Sequence, residues 1–426
     1  MQILQNRELQ MKKKILVISD SPLVPSGVGT QTKYFIDSLI QTGEYKFFCL
    51  AGAIKHRDYR MKKVQPYGED WIILPVDGYG NQDLIRQVIN DYKPDLLWFM
   101  TDPRFYVWLW EMDSEIRKNV PMVYYHVWDN YPYPTFNKKY YDSNDLICTI
   151  SKVTDDIVKT VSPETKSIRV PHAVNTDIFC KKTKDQIREK RELISKSHDS
   201  KLIFFWNNRN ARRKQSGSLI FWFKEFLDIV GRDKAILLMH TEPRDPNGQD
   251  LISIMTELGL VNGEVLLSEQ KMTPEELSCI YSAVDCTINI ADAEGFGLAT
   301  LESLACSTPI IVNMTGGLQE QVTDGEQWFG YGIEPSSKAV IGSQEVPWIY
   351  EDRISKEDFI DRMLKFYNLT KEQREELGSK GREFVLKEYG FDTYNAQWRK
   401  VIAEAIEEFG SWENRKNYKH WSFEEL

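Results

Sequence analysis

The chain has 426 residues, 42% of them hydrophobic and 27% charged, which is too long for one ordinary core and points to two globular domains. Its 54 basic and 63 acidic residues leave a net charge of −9, which argues against an affinity built on broad phosphate neutralisation while permitting a local basic cleft. The six cysteines form no CxxC pair and several lie in strand-like apolar runs, so buried reduced thiols in a cytosolic protein are expected rather than disulfides or a zinc site.

In chain order, a polar leader precedes Met11-Lys12-Lys13-Lys14, where Met11 is an alternative start to Met1. It lacks a signal-peptide core, and no apolar run approaches the roughly 18–20 residues that span a bilayer. A strand over Ile15–Ser19 leads through a loop to Gly29 and a helix over Thr30–Ile40. Further strands are expected at 47–51, 71–75, 96–100, 122–126 and 146–150, with a helix at 83–91. The charged stretch 181–200 reads as a linker plus a surface helix. The same grammar restarts at Lys201–Trp206, followed by a basic loop, a helix over 218–230 and strands at 235–240, 265–267, 286–290 and 309–312. After Ile354 the chain reads as helical, with an amphipathic stretch over Tyr394–Phe409 and an aromatic tail (Trp412, Tyr418, Trp421, Phe423) expected to dock on a domain.

Strands alternating with helices imply an α/β protein of two Rossmann-like domains with mostly parallel sheets. The first is expected over 1–174 and the second over 175–404, with 405–426 docking back on the first. Ligands of open α/β sheets bind beyond the carboxyl ends of the strands, so two such domains imply an active cleft between them.

Glu294-Gly295-Phe296-Gly297-Leu298-Ala299-Thr300-Leu301-Glu302 carries the strongest chemical signal. Gly295 and Gly297 let backbone N–H groups approach a ligand, and the helix opening at Leu298 adds partial positive charge suited to a phosphate. Glu302 lies about one turn into that helix and leans towards its N-terminus, so two carboxylates converge on one small volume. A loop acid beside an ordinary helix glutamate is the competing bland reading. Asn207–Lys214, directly after a strand, carries Arg209, Arg212, Arg213 and Lys214. Cations preorganised there would stabilise the negative charge of a departing diphosphate; a solvated basic loop is the alternative.

Ser26-Gly27-Val28-Gly29-Thr30 lacks the third glycine of a dinucleotide fingerprint, so an NAD-binding reading is rejected. His126 ends a strand-like run and is followed by Trp128 and Asp129, a functional place for a histidine. His172 reads as structural. Between Tyr92 and Tyr141 the chain is dense in aromatics, including Trp98, Trp108, Trp110, Trp128 and Tyr133. Much of this must be core, but aromatic faces also stack on sugars and bases. Asp102, Trp128, Asp129 and Tyr133 are therefore the expected acceptor-binding residues.

The two glutamates separated by seven residues, with Ser307-Thr308-Pro309-Ile310-Ile311-Val312 and Gly316-Gly317-Leu318-Gln319-Glu320 downstream, resemble the glycosyltransferase group 1 family. The resemblance implies the GT-B fold, with C-terminal helices packing back towards the first domain. It also implies a retaining glycosyltransferase that moves a sugar from a nucleoside-diphosphate sugar to a hydroxyl of a glycan, lipid or small molecule. Glu294 would contact donor-sugar hydroxyls and Glu302 the ribose, with the Phe296–Leu298 backbone beside the phosphates. Arg209 and Lys214 match the family's cation pair, and the Gly27/Gly29 loop would lie near donor phosphates and acceptor. In many relatives the residue matching His126 lies beside the reacting sugar. The usual Gly and Asp at the entry to the second domain are Ala173 and Asn175 here.

No Asp-x-Asp motif stands out, so metal-independent catalysis is expected, with no cofactor beyond the co-substrate. The chain also resembles phage-encoded members, which raises an alternative acceptor, hydroxymethylated pyrimidines of phage DNA, and the expected cytoplasmic location would be the host cytoplasm if the protein is phage-encoded. A nucleotide-sugar epimerase, a phosphorylase or a non-catalytic sugar-nucleotide-binding subunit would use the same fold. The donor base and sugar, the acceptor and the oligomeric state are left open.

Overall fold

The computed structural model describes residues 11–128, 133–195 and 201–419. They divide into two compact units, one holding 11–128, 133–173 and 392–419 and the other 174–195 and 201–391. The chain leaves the first unit at Ala173 and returns to it at Asp392, ahead of the crossing expected at 404.

The first unit is built on eight strands: β1 (Lys13–Asp20), β2 (Tyr45–Gly52), β3 (Lys62–Val64), β4 (Gly68–Pro75), β5 (Leu96–Met100), β6 (Met122–His126), β7 (Leu146–Thr149) and β8 (Ser167–Arg169). Their order is β3-β4-β2-β1-β5-β6-β7-β8, parallel throughout except for β3 on β4. Ile15, Leu16, Val17 and Ile18 are all buried, as an unbroken apolar run must be in a parallel strand covered on both faces. The helix Gly27–Ile40 starts earlier than expected: Ser26 is its N-cap and accepts from the Gly29 N–H at 2.9 Å. Both glycines of the motif therefore lie in its first turn.

The helix Phe391–Phe409 belongs largely to this unit. Its Trp398 is fully buried, with ring centroids 4.8 Å from Phe35 and 5.0 Å from Tyr125. In the tail, Trp412 Nε1 donates to Pro94 O at 3.0 Å, and Arg415 pairs with Asp145 at 2.5 Å. Tyr418 receives the Arg117 guanidinium over its ring. Trp421 and Phe423 lie outside the described residues.

The second unit holds β9 (Leu202–Asn207), β10 (Ala235–His240), β11 (Val265–Ser268), β12 (Cys286–Asn289), β13 (Ile310–Asn313) and β14 (Gly330–Ile333). All pair in parallel, in the order β11-β10-β9-β12-β13-β14. This is the doubly wound Rossmann order, which reverses between β9 and β12. Phe204, Trp206, Phe223, Phe226, Ile288 and Phe366 anchor its core. An antiparallel ribbon follows, β15 (Ser337–Ile341) and β16 (Ile349–Arg353), in a stretch where no strand was expected. Cys49, Cys148, Cys286 and Cys306 are buried free thiols, and burial pushes Cys49 and Cys306 up to about 12.

Candidate active site

Beyond the carboxyl ends of β9 and β12, where the strand order reverses, the second unit gathers the basic loop and the glutamate loop. A doubly wound sheet leaves its ligand crevice at this point, because the loops of the two strands diverge to opposite faces. From β9 the chain makes a tight turn over Arg212–Lys214, and Gln215 adopts a left-handed φ of 56° before the helix Ser216–Val230. The turn aims Lys214 at Glu294, and ammonium and carboxylate form an ion pair with side chains only 9% and 14% exposed. Asn289 Nδ2 also donates to Glu294, at 3.3 Å, and Arg213 donates to the Ala293 carbonyl at 2.5 Å. Burial alone would push the Glu294 carboxyl up, but Lys214 and Arg213 outweigh it and hold the group below its ordinary value.

The backbone of this loop is clamped from below. Gly317 N–H donates to Glu294 O at 3.0 Å, and Gln321 Nε2 donates to Phe296 O at 2.6 Å. Thr300 Oγ1 in turn donates to Gln321 Oε1 at 2.7 Å. The approach is so close that a Cβ on Gly316 would stand 1.9 Å from Glu294 O, which explains the glycine pair in the downstream motif. Gly297, with φ at 93°, is the N-cap of the helix Leu298–Ala305 and provides no side-chain cap. The partial positive charge of that helix start lies beside the Lys214–Glu294 pair.

Glu302, on the same helix, is partly buried and accepts from Tyr281 OH at 2.9 Å. Asn207 Nδ2, at the end of β9, donates to the same tyrosine oxygen at 2.8 Å. Burial raises the Glu302 carboxyl to about 7, against the opposing Tyr281 hydrogen bond. The other basic residues of the loop are turned to private partners. Arg209 makes a two-bond fork to Asp245 (2.6 and 3.1 Å) on the loop after β10. Arg212 forks onto Glu351 of β16 at 2.8 and 2.7 Å. Arg353 of the same strand reaches Asp292 at 3.4 Å, and Gln215 donates to Asp292 at 2.5 Å. Burial lifts Asp292 to about 6.

Sequence reasoning missed Tyr281, Asn289, Asp292 and the ribbon acids. Tyr281 sits in a helix whose pattern reads as packing, and a short polar-rimmed ribbon has no strong period. The one available signal was position: Asn289 and Asp292 flank the carboxyl end of a strand already identified.

In the first unit the outcome is different. His126 is fully buried, its Nδ1 3.1 Å from Tyr124 OH and its Nε2 2.8 Å from Tyr141 OH. Desolvation depresses it to about 3, so it is a neutral core histidine held by two phenols. It was expected to line the site, and in this structure it has no exposed surface. Trp128 is likewise only 5% exposed; its carbonyl accepts from Thr154 and its ring packs edge-on to Phe136. It was expected to stack on an acceptor, and in this structure almost none of it is exposed. Trp98 and Trp110 are also core, with Trp98 stacked on Phe35 at 4.2 Å. Asp102 caps the turn after β5 and forks with Arg104. Tyr133 is half-buried, and Asp129 lies outside the described residues. Gly27 is exposed; a Cβ on Gly29 would stand 2.7 Å from Ser21 O. His172 is structural, with Nδ1 2.8 Å from Tyr125 OH.

Residues 226–384 match the family model described as glycosyl transferases group 1. A D-inositol 3-phosphate glycosyltransferase from Acidothermus cellulolyticus is 35% identical over 83 residues, covering 20% of this chain and 18% of that protein. Its counterpart from Corynebacterium jeikeium is 27% identical over 185 residues, covering 42% and 43%. The chain thus spans less than half the length of these curated relatives. Among solved structures, sucrose-phosphate synthase from Thermosynechococcus elongatus superposes with a TM-score of 0.74 at 15% identity, covering 93% of this chain and 100% of that one. Anabaena HepE in complex with UDP-glucose gives 0.66 at 16% identity, covering 92% and 99%. At such identities the likeness shows the fold, which is GT-B.

Proposed function

We propose that this chain, whose residues 226–384 match the model of the group 1 glycosyl transferases, transfers a sugar from a nucleoside-diphosphate sugar to an acceptor hydroxyl with retention of anomeric configuration. The observation that carries the reading is the buried Lys214–Glu294 pair at the β9/β12 switch point, beside the start of the helix Leu298–Ala305.

Each group there has a task that fits a donor of this class. Lys214 and the N–H groups at the helix start would neutralise the diphosphate, and Gly295, Phe296, Gly297 and Leu298 let its oxygens approach the backbone. Glu294, kept ionised by its cations, would accept hydrogen bonds from sugar hydroxyls. Glu302 would do the same for the ribose. The bond from the anomeric carbon to the phosphate oxygen breaks as the acceptor oxygen bonds to that carbon on the same face. The acceptor proton passes to the departing phosphate, so no enzymic nucleophile is required. The positive charge that the leaving group needs would come from Lys214, Arg213 and the helix start, which would make a divalent ion and any further cofactor dispensable. Arg209 joins this set if a phosphate draws it from Asp245.

The solved structure of HepE holds UDP-glucose, which makes UDP-sugars the first donors to test. The names of the sequence relatives point to a phosphorylated polyol as the first acceptor. Native mass spectrometry against UDP-, GDP- and ADP-sugars should detect one bound donor, and release of nucleoside diphosphate should require Glu294. Failure to bind any of them, or full turnover by Glu294→Ala, sinks the reading.

A further inference from the structure

We propose that Tyr281 is a positioning residue that orients Glu302 for the nucleoside, through a directional hydrogen-bond chain that starts at Asn207. The inference rests on the reading of Glu302 as the carboxylate that receives the ribose hydroxyls.

Tyr281 is fully buried on the helix Pro274–Ala283. Its ring is held edge-on by Phe205 at 5.2 Å and Phe179 at 6.2 Å. The phenol oxygen stands between two groups of opposite capacity. An amide NH2 only donates, and the Glu302 carboxylate, once ionised above about pH 7, only accepts. Asn207 Nδ2 donates to the phenol oxygen at 2.8 Å, which leaves the phenol proton directed at Glu302 Oε2 at 2.9 Å. The chain fixes one carboxylate oxygen and leaves Oε1 to receive a ligand hydroxyl. It also ties Glu302 to the last residue of β9, the strand whose following loop carries Lys214. The nucleoside and diphosphate contacts are thereby referenced to the same strand end. A phenylalanine would pack in the same place but leave the carboxylate free to rotate.

The test uses the full-length protein and whichever of UDP, GDP and ADP the wild type binds, measured by calorimetry. Tyr281→Phe should weaken binding of that nucleotide and raise the donor KM about tenfold, with kcat changed by less than about threefold. Asn207→Asp reverses the chain, because the new carboxylate competes for the phenol proton, and should produce the same loss if Tyr281→Phe proves unstable. In a Glu302→Gln background neither substitution should add a further loss. Neither should weaken binding of the matching 2′,3′-dideoxynucleotide. Unchanged affinity in both variants, or an equal loss with and without Glu302, overturns the positioning role. A wild type that binds none of the three nucleotides overturns the functional reading itself, which is a separable result.

Discussion

Lys214 and Glu294 are eighty positions apart in the chain, yet each is the other's charge partner, with 9% and 14% of their side chains exposed. Such a pair contributes little net stability once its desolvation is counted, but removing one member strands a buried charge. Lys214→Met should therefore cost about 3 kcal/mol in urea unfolding, and the double change Lys214→Met/Glu294→Gln should recover most of it. Donor turnover should fall at least about a hundredfold in both. Recovery of stability without recovery of activity separates the chemical role from the structural one.

Gly316 has a φ of 49°, and an added Cβ would stand 1.9 Å from Glu294 O. Gly316→Ala must move the glutamate loop, so it should lose about 3 kcal/mol and most donor affinity. Gly43→Ala is the control, because Gly43 shares the positive φ but has no atom within 4 Å of an added Cβ. It should cost about 1 kcal/mol and leave affinity intact.

Glu302 is raised to about 7 in the folded protein, above the unfolded value of about 4.3. Between those values the folded state holds the extra proton, so this group's stabilisation is complete below the window and is lost as pH rises through about 7. Asp292, raised to about 6, has the same sign. His126 and His172, buried and depressed to about 3, act oppositely below their unfolded value of about 6.5. Thermal midpoints from pH 5 to 8 for wild type and Glu302→Gln isolate this carboxyl's contribution: the wild type should lose more stability on raising the pH. Parallel curves would refute the assignment.

Trp398 is fully buried against Phe35, Trp98 and Tyr125. Trp398→Ala should cost about 4 kcal/mol in the unfolding of the first unit, as expected for an emptied aromatic site. A loss below about 1 kcal/mol would mean that the C-terminal helix does not belong to that core.

The parallel strands were legible because unbroken runs such as Ile15–Ile18 and Leu202–Trp206 demand burial on both faces. Glu294, Gly297 and Glu302 were legible because a strand, a glycine loop and a helix start are contiguous in sequence, and local geometry aims them together. The fold was legible in type, while the return to the first unit at Asp392 was not, since an amphipathic helix does not say which core it covers.

By itself, then, the sequence determined two doubly wound sheets and a carboxylate-bearing helix start at the end of a strand, because both are set by patterns a few residues long. Tertiary structure decided the rest. It gave Lys214 to Glu294, turned Arg209 onto Asp245 and Arg212 onto Glu351, and supplied Tyr281 to Glu302. It also placed His126 and Trp128 inside the first unit's core. The reason is physical: a charge or hydrogen-bond partner is chosen by distance in space, and burial depends on what packs above a residue. Neither is written in its neighbours along the chain.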